Sequence, residues 1–209
     1  MPIDTLVFDF GGVIIDISDW KVVESMTALG VSHLKQLVHA RQIKTLLNQF
    51  VDGLVPMEQT LQELLALCRE GTTREQVLDV VSHLCADLPV ERLQSLAALR
   101  QRYKVYLLSN INEYLWLQSV ERMRALGFEV GDCFDRVFLS YEMQKAKPDA
   151  AIYEQLIAVT GLDPSRTLYF EDRENNYEAG KAIGLQAVLV KTNHIETLDL
   201  WKSLNQPQK

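Results

Sequence analysis

The chain has 209 residues, of which 47% are hydrophobic and 23% charged, a composition typical of a globular protein with one main core and room for a smaller lobe. The formal charge of −7 argues against nucleic-acid binding, because phosphate backbones attract clustered Lys and Arg and this sequence has no basic run. No apolar run approaches the ~20 residues of a membrane-spanning helix, so we expect a cytoplasmic protein with no membrane partner.

Five short apolar runs along the chain predict buried β-strands separated by helical periods. The runs span residues 5–10, 104–109, 136–140, 167–171 and 187–190. Gly127, Gly161 and Gly184 each follow a helical period and precede an apolar residue, a pattern typical of helices that end at a left-handed glycine. Strands that alternate with helices in this way predict an α/β fold with a doubly wound parallel sheet.

A helical lobe interrupts this alternation after the first strand. Residues 22–29, 34–50, 57–68 and 74–84 all have amphipathic helical periods, with no convincing strand between them. We therefore expect residues 1–17 and 89–209 to form the α/β core and residues 18–88 to form an inserted helical lobe. The turn that contains Asp52 could face a cleft shared with the core, or it could be an ordinary solvent-facing turn.

Polar residues stand at the carboxyl ends of four predicted strands, where ligands bind in open parallel sheets. Asp9 lies near the end of the first strand, Ser109 and Asn110 end the second, Lys147 lies beyond the third, and Glu171 with Asp172 ends the fourth. Each alone is weak evidence, and the last two acids could simply favour the start of the helix that follows. Together and in this order they predict one catalytic site.

Four segments resemble the ordered motifs of the haloacid dehalogenase superfamily. They are Val-Phe-Asp-Phe-Gly-Gly-Val at 7–13, Leu-Leu-Ser-Asn at 107–110, Lys-Pro-Asp at 147–149 and Tyr-Phe-Glu-Asp at 169–172. The resemblance spans nearly the whole chain. It implies a Rossmann-like core, and it implies that the helical lobe of residues 18–88, called the cap from here on, closes over the site and selects substrates.

The resemblance also implies a role for each residue of the site. Asp9 is the expected nucleophile that forms an aspartyl-phosphate, and Lys147 is expected to keep the pKa of Asp9 low and to bind phosphoryl oxygens. Ser109 and the backbone N–H of Asn110 are expected to bind another phosphoryl oxygen. The expected Mg²⁺ ligands are Asp9, Asp172 and the carbonyl of Gly11, with Glu171 acting through water or orienting the ligands.

Two positions depart from the pattern of most phosphatases in the superfamily. Gly11 stands where they carry a second Asp that protonates the leaving oxygen, and Asn176 stands where many have another acid. General acid–base catalysis contributes about 10²–10⁴ in rate, so the absence of this Asp should lower the rate of ester cleavage unless another group replaces it.

Three functions remain open at this point. The chain looks closest to the α-glucose-1-phosphatase-like subgroup, which implies a Mg²⁺-dependent phosphatase acting on a small phosphorylated metabolite such as a sugar phosphate. A metal-independent haloacid dehalogenase also lacks the second Asp, but the acids at 171 and 172 argue against it. A catalytically weak protein that binds a phosphorylated ligand or a partner would not need Asp9.

Several details stay open in the sequence. Arg41, Lys44 and Asn48 share a face of one cap helix and could contact substrate or only solvent. The apolar residues 114–116 fit either a core or an interface, so both a monomer and a homodimer are compatible with the sequence.

Overall fold

The computed structural model describes residues 2–31, 45–46, 48–191 and 194–206. Arg41 and Lys44, considered above for substrate contact, lie outside the described residues. Asn48 lies within them, and its side chain is exposed. In the described part of the chain, no helix combines the length and apolar character that crossing a bilayer requires.

A five-stranded parallel sheet lies at the centre of the molecule, which confirms the predicted fold class. The strands are β1 (Thr5–Phe8), β2 (Lys104–Ser109), β3 (Arg136–Leu139), β4 (Thr167–Glu171) and β5 (Gln186–Leu189). Their order is β3-β2-β1-β4-β5, so β1 is central and the chain later crosses from one side of it to the other. Every residue of β1 and β4 is buried, because packing covers both faces of the sheet.

Helices pack on both faces of the sheet and also build the cap. They are α1 (Asp19–Ala28), α2 (Met57–Leu67), α3 (Arg74–Ser82), α4 (Val90–Leu99), α5 (Glu113–Ala125), α6 (Val130–Cys133), α7 (Ser140–Met143), α8 (Ala150–Thr160), α9 (Glu174–Ala182) and α10 (Asp199–Leu204). Residues 48–52 of the cap are also helical. Gly127, Gly161 and Gly184 have φ of 86°, 67° and 97°, which confirms the predicted left-handed helix ends.

Alternate side chains of the strands contribute to two apolar clusters, one on each face. Leu6 and Phe8 of β1 join the larger cluster, which also receives residues from α4, α5, α10 and the cap, whereas Val7 joins the smaller cluster under α8 and α9. Fully burying each large apolar side chain contributes about 1.5–3 kcal/mol. The large buried surface therefore holds β1, and the residue that follows it, in a rigid setting.

The two crossings between core and cap lie side by side and are hydrogen-bonded to each other. Ile17 and Cys85 form an antiparallel bridge. The N–H of Asp16 donates to the carbonyl of Asp87 over 2.7 Å, and the N–H of Ser18 donates to the carbonyl of Leu84 over 3.0 Å. We call these paired crossings the hinge.

A buried arginine from the core braces the hinge. Nη1 of Arg92, on α4, lies 2.7 Å from Oδ1 of Asp16 and 3.2 Å from the carbonyl oxygen of Ile14. Its Nε lies 3.0 Å from Oε2 of Glu196. Because the Arg92 side chain is only 2% exposed, these acceptors balance a charge that would otherwise be costly to bury.

Candidate active site

The site begins at Asp9, the first residue after the central strand. The N–H of Asp9 donates to the carbonyl of Phe170 over 2.9 Å, and the side-chain oxygen Oδ1 accepts from the N–H of Phe10 over 2.7 Å. β2 and β4 flank β1, so the residues that end these two strands converge on Asp9. The predicted grouping of Asp9, Lys147, Glu171 and Asp172 is what the structure shows.

Lys147 bridges two buried carboxylates. Its Nζ lies 2.8 Å from Oδ1 of Asp9 and 2.7 Å from Oε2 of Glu171. Burial opposes the charge of this lysine, but the two carboxylates outweigh burial and raise the pKa of Lys147 above its ordinary value. Lys147 therefore stays cationic and fixes the direction in which Asp9 points.

The pKa of Asp9 corrects one expectation. Burial, followed by the charge of Glu171, raises the pKa of Asp9 well above its ordinary value, and Lys147 only partly offsets this rise. The sequence predicted that a nearby cation would keep this pKa low. One lysine does not do so here because burial and the neighbouring acids outweigh it, and ionised Asp9 needs further positive charge.

The acidic residues suit a hard cation. Asp9, Glu171 and Asp172 each offer an oxygen, and these oxygens lie within 4.8 Å of one another. Among the described residues, Oδ1 of Asp172 is buried without a hydrogen-bond partner. Burial, together with contact to Glu171, raises the pKa of Asp172 to about 6. A divalent cation would bind the unpartnered oxygen of Asp172 and reduce the repulsion among the three carboxylates, so these residues fit Mg²⁺.

Glu171 differs from the other two acids because both of its oxygens are already engaged. Oε2 accepts from Lys147 and from the hydroxyl of Tyr169, and Oε1 accepts from the N–H of Arg173 over 3.0 Å. Although burial acts the other way, Lys147 leads the contacts that lower the pKa of Glu171 to about 2. This geometry favours the orienting role considered for Glu171 over direct binding of an ion.

Asn110 holds the main chain at Lys147. Its Oδ1 accepts from the N–H of Lys147 over 2.8 Å, and its Nδ2 donates to the carbonyl of Lys147 over 2.9 Å. Ser109, the last residue of β2, is 1% exposed beside it. The sequence predicted only a role for the backbone N–H of Asn110, so this side-chain role and the contact of Tyr169 with Glu171 were missed.

The cap turn that contains Asp52 docks onto this part of the core. Nδ2 of Asn110 donates to Oδ1 of Asp52 over 3.0 Å, and the Ser140 hydroxyl donates to the carbonyl of Asp52 over 2.6 Å. Nδ2 of Asn112 donates to the carbonyl of Phe50 over 2.5 Å. The turn therefore faces the core, which decides between the two positions that the sequence left open.

Gly53 allows the close approach of this turn. It has a φ of 65°, and a Cβ at this position would lie 2.8 Å from Cβ of Tyr141 and 3.0 Å from Cα of Asn112. Both the backbone conformation and the space exclude larger residues. No sequence pattern signalled Ser140 or Asn112 as contacts of the cap, because both lie far from residues 50–53 along the chain.

Gly11 lies in the turn that leaves β1, and the space beside it is taken by the hinge. A Cβ at Gly11 would lie 3.2 Å from Cδ1 of Ile17, tighter than an ordinary contact. A carboxyl side chain at position 11 would therefore require Ile17 to move. Asn176, the second departure, is 2% exposed, and its main-chain carbonyl accepts from the hydroxyl of Tyr153 over 3.0 Å.

Comparison with known proteins agrees with this geometry. Residues 3–184 match the family model of haloacid dehalogenase-like hydrolases. The chain belongs to the haloacid dehalogenase-like hydrolase family. The resemblance seen in the motifs is thus confirmed, whereas the finer assignment to the α-glucose-1-phosphatase-like subgroup stays a prediction.

Two kinds of relative are informative for this hydrolase. A D-ribitol-5-phosphate phosphatase of Bacteroides thetaiotaomicron is 29% identical over 186 residues, which cover 88% of this chain and 90% of the relative. The crystal structure of a family enzyme from the same organism is 26% identical, with a TM-score of 0.87 and coverage of 99% of this chain and 100% of that chain.

Another crystal structure of that enzyme is a complex with magnesium and inorganic phosphate. It is also 26% identical to this hydrolase, has a TM-score of 0.81, and the match covers 91% of this chain and 95% of that chain.

Proposed function

We propose that this hydrolase is a Mg²⁺-dependent phosphatase that cleaves the phosphomonoester of a small polyol or sugar through an aspartyl-phosphate on Asp9. The observation that carries the proposal is the arrangement around Asp9. This carboxylate lies 2.8 Å from a fully buried lysine and next to Asp172, which has a buried oxygen without a partner among the described residues. A nucleophile, an anion-binding cation and a metal ligand thus lie in one cluster.

The chain's own residues divide the work as follows. Asp9 is the nucleophile that attacks phosphorus, and it directly follows the central strand at its carboxyl end. Lys147 binds the phosphoryl oxygens, and Ser109 with the N–H of Asn110 binds another of them as charge spreads in the transition state. Asp9, Asp172 and the Gly11 carbonyl would hold Mg²⁺, which when bound neutralises the acids and draws negative charge from the phosphoryl group.

The relatives support the substrate class. One is a D-ribitol-5-phosphate phosphatase, and a second was crystallised with magnesium and inorganic phosphate. We therefore favour a sugar-alcohol phosphate over the sugar phosphate that the α-glucose-1-phosphatase-like resemblance suggested. The clustered acids speak against a metal-independent dehalogenase, because without a cation they raise the pKa of Asp9 and weaken it as a nucleophile.

The experiment is phosphate release from D-ribitol-5-phosphate, glucose-1-phosphate and p-nitrophenyl phosphate, measured with Mg²⁺ and with EDTA. We expect release that requires Mg²⁺ and falls by about 10⁴-fold or more in Asp9→Asn. The matched control is Asp199→Asn, which changes a fully exposed carboxylate and should leave release unchanged.

A readout that does not depend on turnover tests the metal site. Mg²⁺ should raise the melting temperature of the wild type, and Asp172→Asn should abolish the shift because it removes the negative charge of a proposed ligand. No phosphate release from any of the substrates, together with no Mg²⁺ effect on melting, would refute the proposed function.

A further inference from the structure

Cleavage of an alkyl phosphate leaves an alkoxide that needs a proton. A positioned acid contributes about 10²–10⁴ in rate to such a step. If the proposed function is right and the substrate is a sugar-alcohol phosphate, the site should contain such an acid. Position 11 cannot supply one, because it is a glycine whose side-chain space borders Ile17 at 3.2 Å.

The acids on the core side have other roles. Asp9 is the nucleophile, and Asp172 carries the free oxygen that suits a cation. Glu171 accepts hydrogen bonds from Lys147 and from the hydroxyl of Tyr169, so it acts as a carboxylate with no proton to give.

Asp52 is the described cap carboxyl that contacts the site residues. Its Oδ1 accepts from Nδ2 of Asn110, the same nitrogen that donates to the carbonyl of Lys147. Within the described residues, no hydrogen bond reaches its other oxygen, Oδ2. The docked turn thus holds one oxygen of Asp52 beside the site and leaves the other without a hydrogen bond among the described residues.

We propose that Asp52 is the proton donor and acceptor for phosphate ester cleavage, delivered to the site by the cap. As Asp9 bonds to phosphorus, the bond between phosphorus and the ester oxygen breaks, and its electron pair stays on that oxygen. The carboxyl of Asp52 gives its proton to the same oxygen, so the alcohol leaves neutral and Asp52 becomes a carboxylate.

The second step returns every group to its starting state. The Asp52 carboxylate takes a proton from water as the water oxygen attacks phosphorus of the aspartyl-phosphate. The bond from phosphorus to Asp9 breaks, its electrons return to the Asp9 carboxylate, and inorganic phosphate leaves. No further reactant is required.

The surroundings of Asp52 are compatible with this exchange. Burial raises the pKa of Asp52 above its ordinary value, while the Asn110 hydrogen bond and the charges of Arg173 and Lys147 act in the opposite direction. Burial thus helps the Asp52 carboxyl to keep its proton at a higher pH than an exposed aspartate would. The neighbouring cations stabilise the carboxylate that forms when the proton leaves.

The test compares two leaving groups in Asp52→Asn and Asp52→Ala. p-Nitrophenolate leaves without a proton, whereas the ribitol oxygen needs one. We expect Asp52→Asn to lower kcat/KM, which reports the first step, about 10²- to 10⁴-fold for D-ribitol-5-phosphate and only a few-fold for p-nitrophenyl phosphate. The second step is the same for both substrates, so loss of the base can lower kcat for both. The amide oxygen of this variant can still accept from Asn110, so the turn should stay docked.

Asp52→Ala separates position from proton transfer, because it also removes the bond to Asn110 and should raise KM for both substrates. Asp79→Asn, an exposed change on cap helix α3, is the matched control and should be neutral. Equal losses of kcat/KM on both substrates in Asp52→Asn, or unchanged kcat/KM for D-ribitol-5-phosphate, would overturn the assignment. A wild type inactive on both substrates would instead refute the phosphatase itself, so the two failures are distinguishable.

Discussion

Gly53→Ala tests whether the docked cap turn is needed for activity. The new Cβ would lie 2.8 Å from Cβ of Tyr141 and 3.1 Å from the carbonyl oxygen of Ile111, so the turn must move away from the core. A left-handed backbone costs a residue other than glycine about 1–2 kcal/mol, and overpacking typically adds about 1–3 kcal/mol. We therefore expect a loss of about 2–5 kcal/mol in the free energy of unfolding.

Gly71→Ala is the matched control, because Gly71 also has a left-handed backbone, with φ of 82°, and nothing lies within 4 Å of its added Cβ. It should lose only the backbone contribution, about 1–2 kcal/mol, and keep full activity. Urea unfolding gives the stabilities, and phosphate release from D-ribitol-5-phosphate gives the activities. Equal effects of the two variants on both measurements would refute the reasoning.

Three further outcomes are expected. Tyr169→Phe removes a hydroxyl that donates to buried Glu171 and should lower the free energy of unfolding by about 1–3 kcal/mol; an unchanged urea midpoint would contradict this. Arg92→Leu leaves Asp16 without its buried partner and should lower the free energy of unfolding by about 3 kcal/mol, near the lower end for such pairs because the Asp16 side chain is 22% exposed. Thermal and urea unfolding would show the loss, and wild-type stability would count against it. Burial raises the pKa of the Cys133 thiol to about 12, so at about pH 8 it should resist iodoacetamide until the protein is denatured, as mass spectrometry can follow; rapid labelling of the folded protein would speak against its burial.

The sequence was sufficient to predict the sheet and the charged residues around Asp9. Short apolar runs identify strands locally, and parallel strands bring their carboxyl ends together whatever segments of the chain connect them. Lys147 and Asp172 could therefore be assigned to one site although neither is near Asp9 along the chain. The predicted first strand was two residues too long, because β1 ends at Phe8 where the chain turns.

Features that depend on side-chain direction could not be predicted. The bond between Asn110 and Asp52 joins residues 58 positions apart, and no local pattern indicates which cap turn meets which core loop. The prediction of a low pKa for Asp9 was wrong for a related reason. This pKa depends on how deeply Asp9 is buried and on its distances from Glu171 and Lys147, and the sequence contains neither.

The paired crossings at Ile17 and Cys85 have a consequence for how such hydrolases diversify. Because the lobe leaves and rejoins the core at one place, its two ends already meet, and a different lobe could be joined there without disturbing the order of the strands. Asp9, Lys147 and Asp172 belong to the core, whereas Asp52, the proposed proton donor, belongs to the lobe. Exchange of this segment between relatives as a single genetic unit would therefore leave Asp9 and Lys147 in place, and the incoming lobe would have to bring a carboxyl of its own to the position of Asp52.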